Sequence, residues 1–252
     1  MTEDPAPFRV LRPEGSSLVV LVCDHASNDI PVALHNLGLP ASELARHIAW
    51  DIGAAGVTEA LSEILDAPAI LSGVSRLVID CNRQLGSPGL IPEVSDGTPV
   101  PGNMHLADAA RAKRIESWFA PYHDAIERAL AEREVRGVES ILISIHSMTP
   151  SLGGQSRPWK IALSSHLDRR LADPMLAALR LLEDPVGDNE PYAVDPAVDY
   201  TTPVHAMRRG WQHLQVEFRQ DEVAAPDAQR RWAQRFAQAL AVVVPAGKSF
   251  LR

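Results

Sequence analysis

Two histidines stand where short apolar runs give way to polar residues: His25 in "VVLVCDHASNDIP" (Val19 to Pro31) and His146 in "SILISIHS". A neutral imidazole is the commonest protein ligand for zinc, and a catalytic zinc takes three protein side chains and keeps a further position for water. Each histidine alone fits a hydrogen-bonded residue at a strand end. As a pair, both following buried strand residues and both with carboxylates nearby, they fit a metal site equally well. Asp51 is the first choice for the third ligand; it lies one helical turn after His47, on the same side of the expected helix. His47 and Asp51 could equally form a hydrogen bond on a helix surface. Asn28 is a weaker alternative ligand, because zinc prefers carboxylate, imidazole and thiolate.

"SRLVIDCNR" carries Arg76 and Arg83, with Asn82 beside the second. A guanidinium grips a carboxylate with a planar fork and can polarise a carbonyl, or it can simply pair with an acid such as Asp80. "HAMRRG", containing Arg208, adds a second basic patch. Glu217, in "HLQVEFR", alternates with Leu214, Val216 and Phe218. Facing inward, it would have its pKa raised by burial towards the range of a general base; facing outward, it is a surface residue of the strand. Other chemistries find less support. There is no G-x-S-x-G elbow, "SLGGQS" has neither a P-loop lysine nor G-x-G-x-x-G, and Cys23 and Cys81 lack a partner arrangement for catalysis. Metal-assisted hydrolysis is the sharpest reading of these residues.

The elements that must position them alternate along the chain. "SLVVLVC" (Ser17 to Cys23) is the β-branched run of a strand buried on both faces. Ala41 to Leu65 reads as a helix started by Ser42, and "PAILSGVSRLVIDCN" as a strand ending at Asp80, Asn82 and Arg83. A loop rich in Gly, Pro, Ser and Asp follows from Gln84 to Gly102, long enough to suggest a binding or lid role. Leu106 to Gly137 reads as one long helix or two joined at Pro121. "SILISIHS" and "KIALSSH" are short strands, Asp168 to Asp184 a helix, "HLQVEFRQDE" a strand leading into a loop, and Asp227 to Val244 a closing helix. Strand alternating with helix predicts a three-layer α/β/α domain with a mixed, mostly parallel central sheet, spanning residues 1–252, with 1–15 irregular. In such sheets ligands collect beyond the carboxyl ends of the strands, where His25 and His146 fall.

Bulk composition narrows the partners. The chain has 252 residues, 46% of them hydrophobic, and a formal charge of −8. That excess of acid argues against a general nucleic-acid or anionic-membrane binder, so any anionic ligand must be met by local arginines. No stretch approaches a membrane span and the acidic start "MTEDPAPFRVLRPEG" lacks the apolar core of a signal peptide, so a cytoplasmic protein is expected. Cys23 and Cys81 sit in apolar runs and are expected to be buried free thiols, in keeping with a reducing compartment.

"CDHASNDIP", "SRLVIDCNR", "IHSM" and "LQVEFR" follow one another as in N-formylglutamate amidohydrolases, and the chain resembles that family from about Leu18 to Leu240. The resemblance implies a zinc-carboxypeptidase-like α/β/α hydrolase fold, related also to the aspartoacylase group. It implies a Zn2+ ion held by His25, His146 and Asp51, although in relatives the carboxylate ligand can stand three residues after the first histidine, where this chain has Asn28. By analogy with the aspartoacylase group, whose arginine and Asn-Arg pair "RLVIDCNR" resembles, Arg76 would polarise the scissile carbonyl and Asn82 and Arg83 would hold a substrate carboxylate; Arg208 of the second basic patch is a further candidate for that carboxylate. Glu217 would take a proton from the attacking water and pass it to the leaving amine. The expected activity is hydrolysis of a small N-acyl amino acid, N-formyl-L-glutamate to formate and L-glutamate, as in histidine breakdown. The alternatives are a related zinc hydrolase with another acyl amino acid or peptide substrate, and a metal-free binding protein that keeps the fold.

Overall fold

The computed structural model describes residues 4–183 and 185–244. Residues 1–3 of the expected irregular start, Asp184 at the end of one expected helix, and residues 245–252 of the expected domain lie outside the described residues. Seven strands form the central sheet: β1 (Phe8–Leu11), β2 (Val19–Cys23), β3 (Ala69–Ser72), β4 (Ile141–Met148), β5 (Ile161–Ser164), β6 (Gly187–Asp188) and β7 (His213–Arg219), in the spatial order β1-β3-β2-β4-β7-β5-β6. The four central strands β3, β2, β4 and β7 run parallel, β1 and β5 pair antiparallel to β3 and β7, and β6 lies parallel to β5. The sheet is therefore mixed and mostly parallel.

Among the described residues five α-helices have seven residues or more: α1 (Ala54–Leu65), α2 (Asp108–Arg114), α3 (Ala120–Val135), α4 (Ala172–Arg180) and α5 (Pro226–Val243). On one face α1, α4 and α5 pack over Leu21, Ile143, Ile145, Val216 and Phe218; on the other, α3 packs over Val20, Val22 and Leu142. Period-two alternation then sorts β4 and β7. Ile141, Ile143, Ile145, Leu214, Val216 and Phe218 enter the first core, while Ser144, His146, Gln215 and Glu217 share the opposite face with Leu142, Glu217 being paired in register with His146 and Gln215 with Ser144. A half-polar sheet face beyond the cover of α3 is what creates the site.

Four local expectations are corrected. The run Ala41 to Leu65 is not one helix: a single turn, Ala41–Leu44, is separated from α1 by irregular backbone that ends at Gly53. Gly53 has φ +83°, and a Cβ there would meet the Val223 carbonyl at 2.3 Å, so only glycine fits. His47 and Asp51 therefore do not share a helix face. The strand read through Asn82 stops at Ser72; Val74, Leu77, Val78 and Ile79 are buried in turns that pack against Leu37, Ile48 and Leu90. The Gln84 to Gly102 loop is held down by Leu90, Ile91 and Val100 in that same core rather than standing over the cavity as a lid. Phe8–Leu11, expected to be irregular, is an edge strand. The long helical segment resolves as α2, a π-helical turn at Ile115–Phe119, and α3, with Pro121 in the first turn of α3, where its missing N–H costs least.

Beneath the site, His123 and His205 stack at 5.2 Å between ring centroids, and His123 Nε2 donates to the Cys81 carbonyl at 2.9 Å. Burial, then the neighbouring His205, pushes His123 down to about 3 from its ordinary 6.5. The native state thus refuses a proton that the unfolded chain accepts. The stability that neutral His123 contributes is complete above about pH 6.5 and is lost as pH falls from there towards 3. Urea titrations across this window are expected to show the loss, and a shallower one in His123→Gln, which keeps an N–H for Cys81; identical slopes would clear His123 of the effect.

Candidate active site

His25 leaves the sheet two residues after β2, and His146 stands in β4 near its carboxyl end. Asp51 reaches both from the irregular segment before α1, tied down because its N–H donates to the His25 carbonyl at 3.0 Å. Nδ1 of His25 lies 3.2 Å from Asp51 Oδ2, and Nδ1 of His146 lies 3.0 Å from the same oxygen. The two rings stand edge to face with centroids 5.0 Å apart. All three side chains are buried, and one donor atom from each falls within 4.8 Å of the others.

The outward nitrogens are held as well. His25 Nε2 donates to Asp80 Oδ1 at 2.7 Å, while His146 Nε2 points to Ser144 Oγ at 2.9 Å and Asp24 Oδ2 at 3.3 Å. Asp24 is itself fixed by the hydroxyls of Tyr122 (2.9 Å), Ser144 (3.0 Å) and Thr201 (2.6 Å). An imidazole whose far nitrogen is held by a carboxylate has its ring oriented and its near nitrogen made more basic, the arrangement characteristic of metal-binding histidines. Burial opposes a charge on His146, yet hydrogen bonds donated to the carboxylates of Asp24 and Asp51 raise its proton affinity well above the usual imidazole value. Burial likewise opposes ionisation of Asp51, but His25, His146 and Arg76 hold its carboxyl below the usual range. The centre is thus a buried spot that attracts positive charge, lined by one carboxylate oxygen and two imidazole nitrogens, and this donor set fits zinc.

Arg76 spans the carboxylates, donating from Nη1 to Asp51 at 3.2 Å and from Nη2 to Asp80 at 2.7 Å. Glu217 is 5% exposed, and burial, opposed in part by His146, raises it to about 7. His25, Asp51, Arg76, Asn82, Arg83, His146 and Glu217 all line one cavity of about 260 Å³, room for a small metabolite. Within it Asn82 serves the wall: its Oδ1 accepts from the Tyr200 and Thr201 N–H groups, both at 3.0 Å. Arg83 donates to Asp199 at 3.2 Å.

Other sequence candidates fall elsewhere. Arg208 is an exposed residue of the 3-10 turn Met207–Arg209 and does not line the cavity, because the turn directs neighbouring His205 and Ala206 inward instead. Asn28 donates from Nδ2 to the Leu44 carbonyl at 2.8 Å and does not line the cavity. His47 reaches the cavity wall, with Nε2 3.3 Å from Asp96. Asp24, the residue adjacent to His25, orients His146; the partner of His25 is Asp80, 55 residues away. Arg157, Tyr192 and Gln215 line the cavity without having been singled out in the sequence. Arg157 and Tyr192 lie in irregular segments, so nothing in their local pattern marks them, whereas Gln215 could have been found from its alternation with Glu217. Cys23 and Cys81 are buried free thiols, as expected.

The outer carboxylates carry a prediction. Asp80→Asn and Asp24→Asn are each expected to weaken metal affinity or turnover by about 10- to 100-fold. Zinc competition with a chromophoric chelator reads this directly, and wild-type affinity in both variants would deny them an orienting role.

An α/β/α sheet with a buried two-histidine, one-carboxylate group at its carboxyl edge, opening into a small polar cavity, defines a mixed α/β hydrolase in architecture. The chain belongs to the N-formylglutamate amidohydrolase family, whose family model matches residues 17–224. It is similar to the crystal structure of gene product Atu2144 from Agrobacterium tumefaciens, with 35% identity and a TM-score of 0.90 over 94% of this chain and 96% of that one. A second structure, N-formylglutamate amidohydrolase from Ralstonia eutropha JMP134, shares the fold at a TM-score of 0.75 and 19% identity, covering 94% of this chain and 97% of that one. No curated protein matches the chain. Among the described residues no helix is long and apolar enough to cross a membrane.

Proposed function

We propose that the protein is a zinc-dependent amidohydrolase that cleaves the amide bond of a small N-acyl amino acid, N-formyl-L-glutamate being the substrate favoured by its family. The observation that carries this reading is the meeting of His25 Nδ1, His146 Nδ1 and Asp51 Oδ2, each imidazole backed by its own carboxylate. Zinc held by these three side chains would supply Lewis-acid chemistry to the amide carbonyl.

The remaining steps belong to the chain's own groups. Glu217, with a pKa raised to about 7, takes a proton from the attacking water and returns it to the leaving amine. Arg76 holds Asp51 and Asp80 in place and keeps a positive charge on the cavity wall, where it stabilises the developing oxyanion. Arg83, beside Asp199, meets a carboxylate of the substrate. The amino-acid half of the substrate then leaves as an ammonium, its nitrogen having gained both protons of the water, and the acyl half leaves as a carboxylate. A reducing cytoplasm agrees with the two free cysteines.

A release assay with zinc present, across N-formyl, N-acetyl and longer N-acyl amino acids, tests the reading. Formate release from N-formyl-L-glutamate above the rest of the panel is expected. Protein purified without chelator that contains no zinc, and gains no hydrolysis when zinc is added, would favour the metal-free binding protein.

A further inference from the structure

Gln215 stands on the polar face of β7, two residues before Glu217, and its side chain is part of the cavity wall. It is 5% exposed. Its Nε2 faces Glu217 Oε1 at 3.5 Å, while its Oε1, out of contact with solvent, accepts no hydrogen bond among the described residues. An amide carbonyl stripped of water is costly to leave unpaired, so a buried glutamine normally has both ends satisfied. The neighbours that could have donated have already done so. In register with Gln215 lie Ser144 on β4 and Ser164 on β5. Each hydroxyl has one proton, and these two go to Asp24 Oδ2 at 3.0 Å and to the Tyr192 carbonyl at 2.6 Å. Turning the amide over gives no relief, because it would set Oε1 against an oxygen of Glu217. One end of the side chain is thus turned to the protein, and the other has no donor until a ligand fills the cavity.

We propose that Gln215 Oε1 accepts the N–H of the scissile amide and so makes the enzyme selective for secondary amides over esters. This rests on the acyl amino acid reading above. A secondary amide offers one N–H, on the same nitrogen that must later receive a proton from Glu217. Gln215 and Glu217 project side by side from one strand face, so a nitrogen within reach of the carboxylate is also within reach of the amide oxygen. The two side chains divide the needs of that nitrogen: Gln215 accepts the hydrogen it already carries, and Glu217 supplies a hydrogen it lacks. An ester oxygen carries no hydrogen and would bring two acceptors face to face. A site whose buried polar atom stays unpaired discriminates against such a ligand.

The test compares N-formyl-L-glutamate with the ester in which oxygen replaces the N–H, the O-formyl derivative of L-2-hydroxyglutarate, on zinc-loaded protein with spontaneous hydrolysis subtracted. Gln215→Met, of similar length but without the amide oxygen, should lower kcat/KM for the amide by roughly 10- to 100-fold and leave that for the ester unchanged or raised. Gln215→Thr, whose branched side chain suits a strand and whose hydroxyl is too short to take over the contact, should show the same split and supplies the answer if the first variant does not fold. A parallel fall for both compounds, or wild-type kinetics on the amide in a folded variant, would overturn the proposal. A wild type that hydrolyses neither compound would sink the hydrolase reading; both are then stable ligands, and calorimetric titration reads the contact directly. Tighter binding of the amide than of the ester by the wild type, with the difference lost in Gln215→Met, would keep the subsite. Equal or undetectable binding would remove it.

Discussion

Glu217→Gln is expected to lower kcat by roughly one hundred- to ten thousand-fold, the span of a lost general acid-base group, while the protein still holds zinc. The glutamate lies in β7, in register with His146, on the polar face of the two central strands. Its flanking residues, Val216 and Phe218, point into the opposite core, so the backbone has no freedom to turn the carboxylate away. Burial raises it to about 7, where it exchanges a proton readily near neutral pH, and Gln215 Nε2 stands 3.5 Å from Oε1. Glutamine keeps the shape and removes only the titrating oxygen. Because Glu217 is outside the His25–Asp51–His146 group, zinc content is expected to be unchanged. Steady-state formate release together with metal analysis of the same sample separates the two effects. Wild-type turnover in this variant would remove Glu217 from the mechanism.

Asp51→Asn is expected to abolish both zinc retention and hydrolysis. One oxygen of Asp51 faces both imidazoles and the other accepts from Arg76, while the Ser147 N–H donates to Oδ2 at 3.3 Å. An amide in its place offers one poor ligand atom and no charge. Removing one member of a buried charged group costs about 3–5 kcal/mol, and here the lower end applies because Arg76 keeps Asp80. The metal-free variant should therefore unfold at lower urea than the metal-free wild type, with the slope of the transition preserved. Equilibrium dialysis with zinc gives the decisive comparison; binding as tight as in the wild type would hand the third ligand position to another residue.

Asn28 shows where the resemblance and the structure part. Its position three residues after His25 makes it an alternative ligand, but its Nδ2 donates to the Leu44 carbonyl and the residue stands off the cavity lining. Helical spacing from His47 points to Asp51, yet that spacing does not exist, since residues between the Ala41–Leu44 turn and Gly53 are not helical. The residue is at the centre for a different reason: a loop clamped to the His25 backbone carries it there.

What the sequence determined by itself was whatever is local. Continuous apolar β-branched runs made Val19–Cys23 and Ile141–Ile145 central strands, and period-two alternation placed Glu217 opposite the residues that enter the core. From these, two histidines at the carboxyl edge of a mostly parallel sheet follow. Only the tertiary structure decided which carboxylate serves which imidazole. Asp80 comes to His25 from 55 residues away, Asp24 passes over its own neighbour to orient His146, and Arg157 faces the cavity held by the Tyr192 hydroxyl. Those pairings depend on how irregular segments pack across the sheet edge. Their backbones repeat no period, so no spacing along the chain records where their side chains meet.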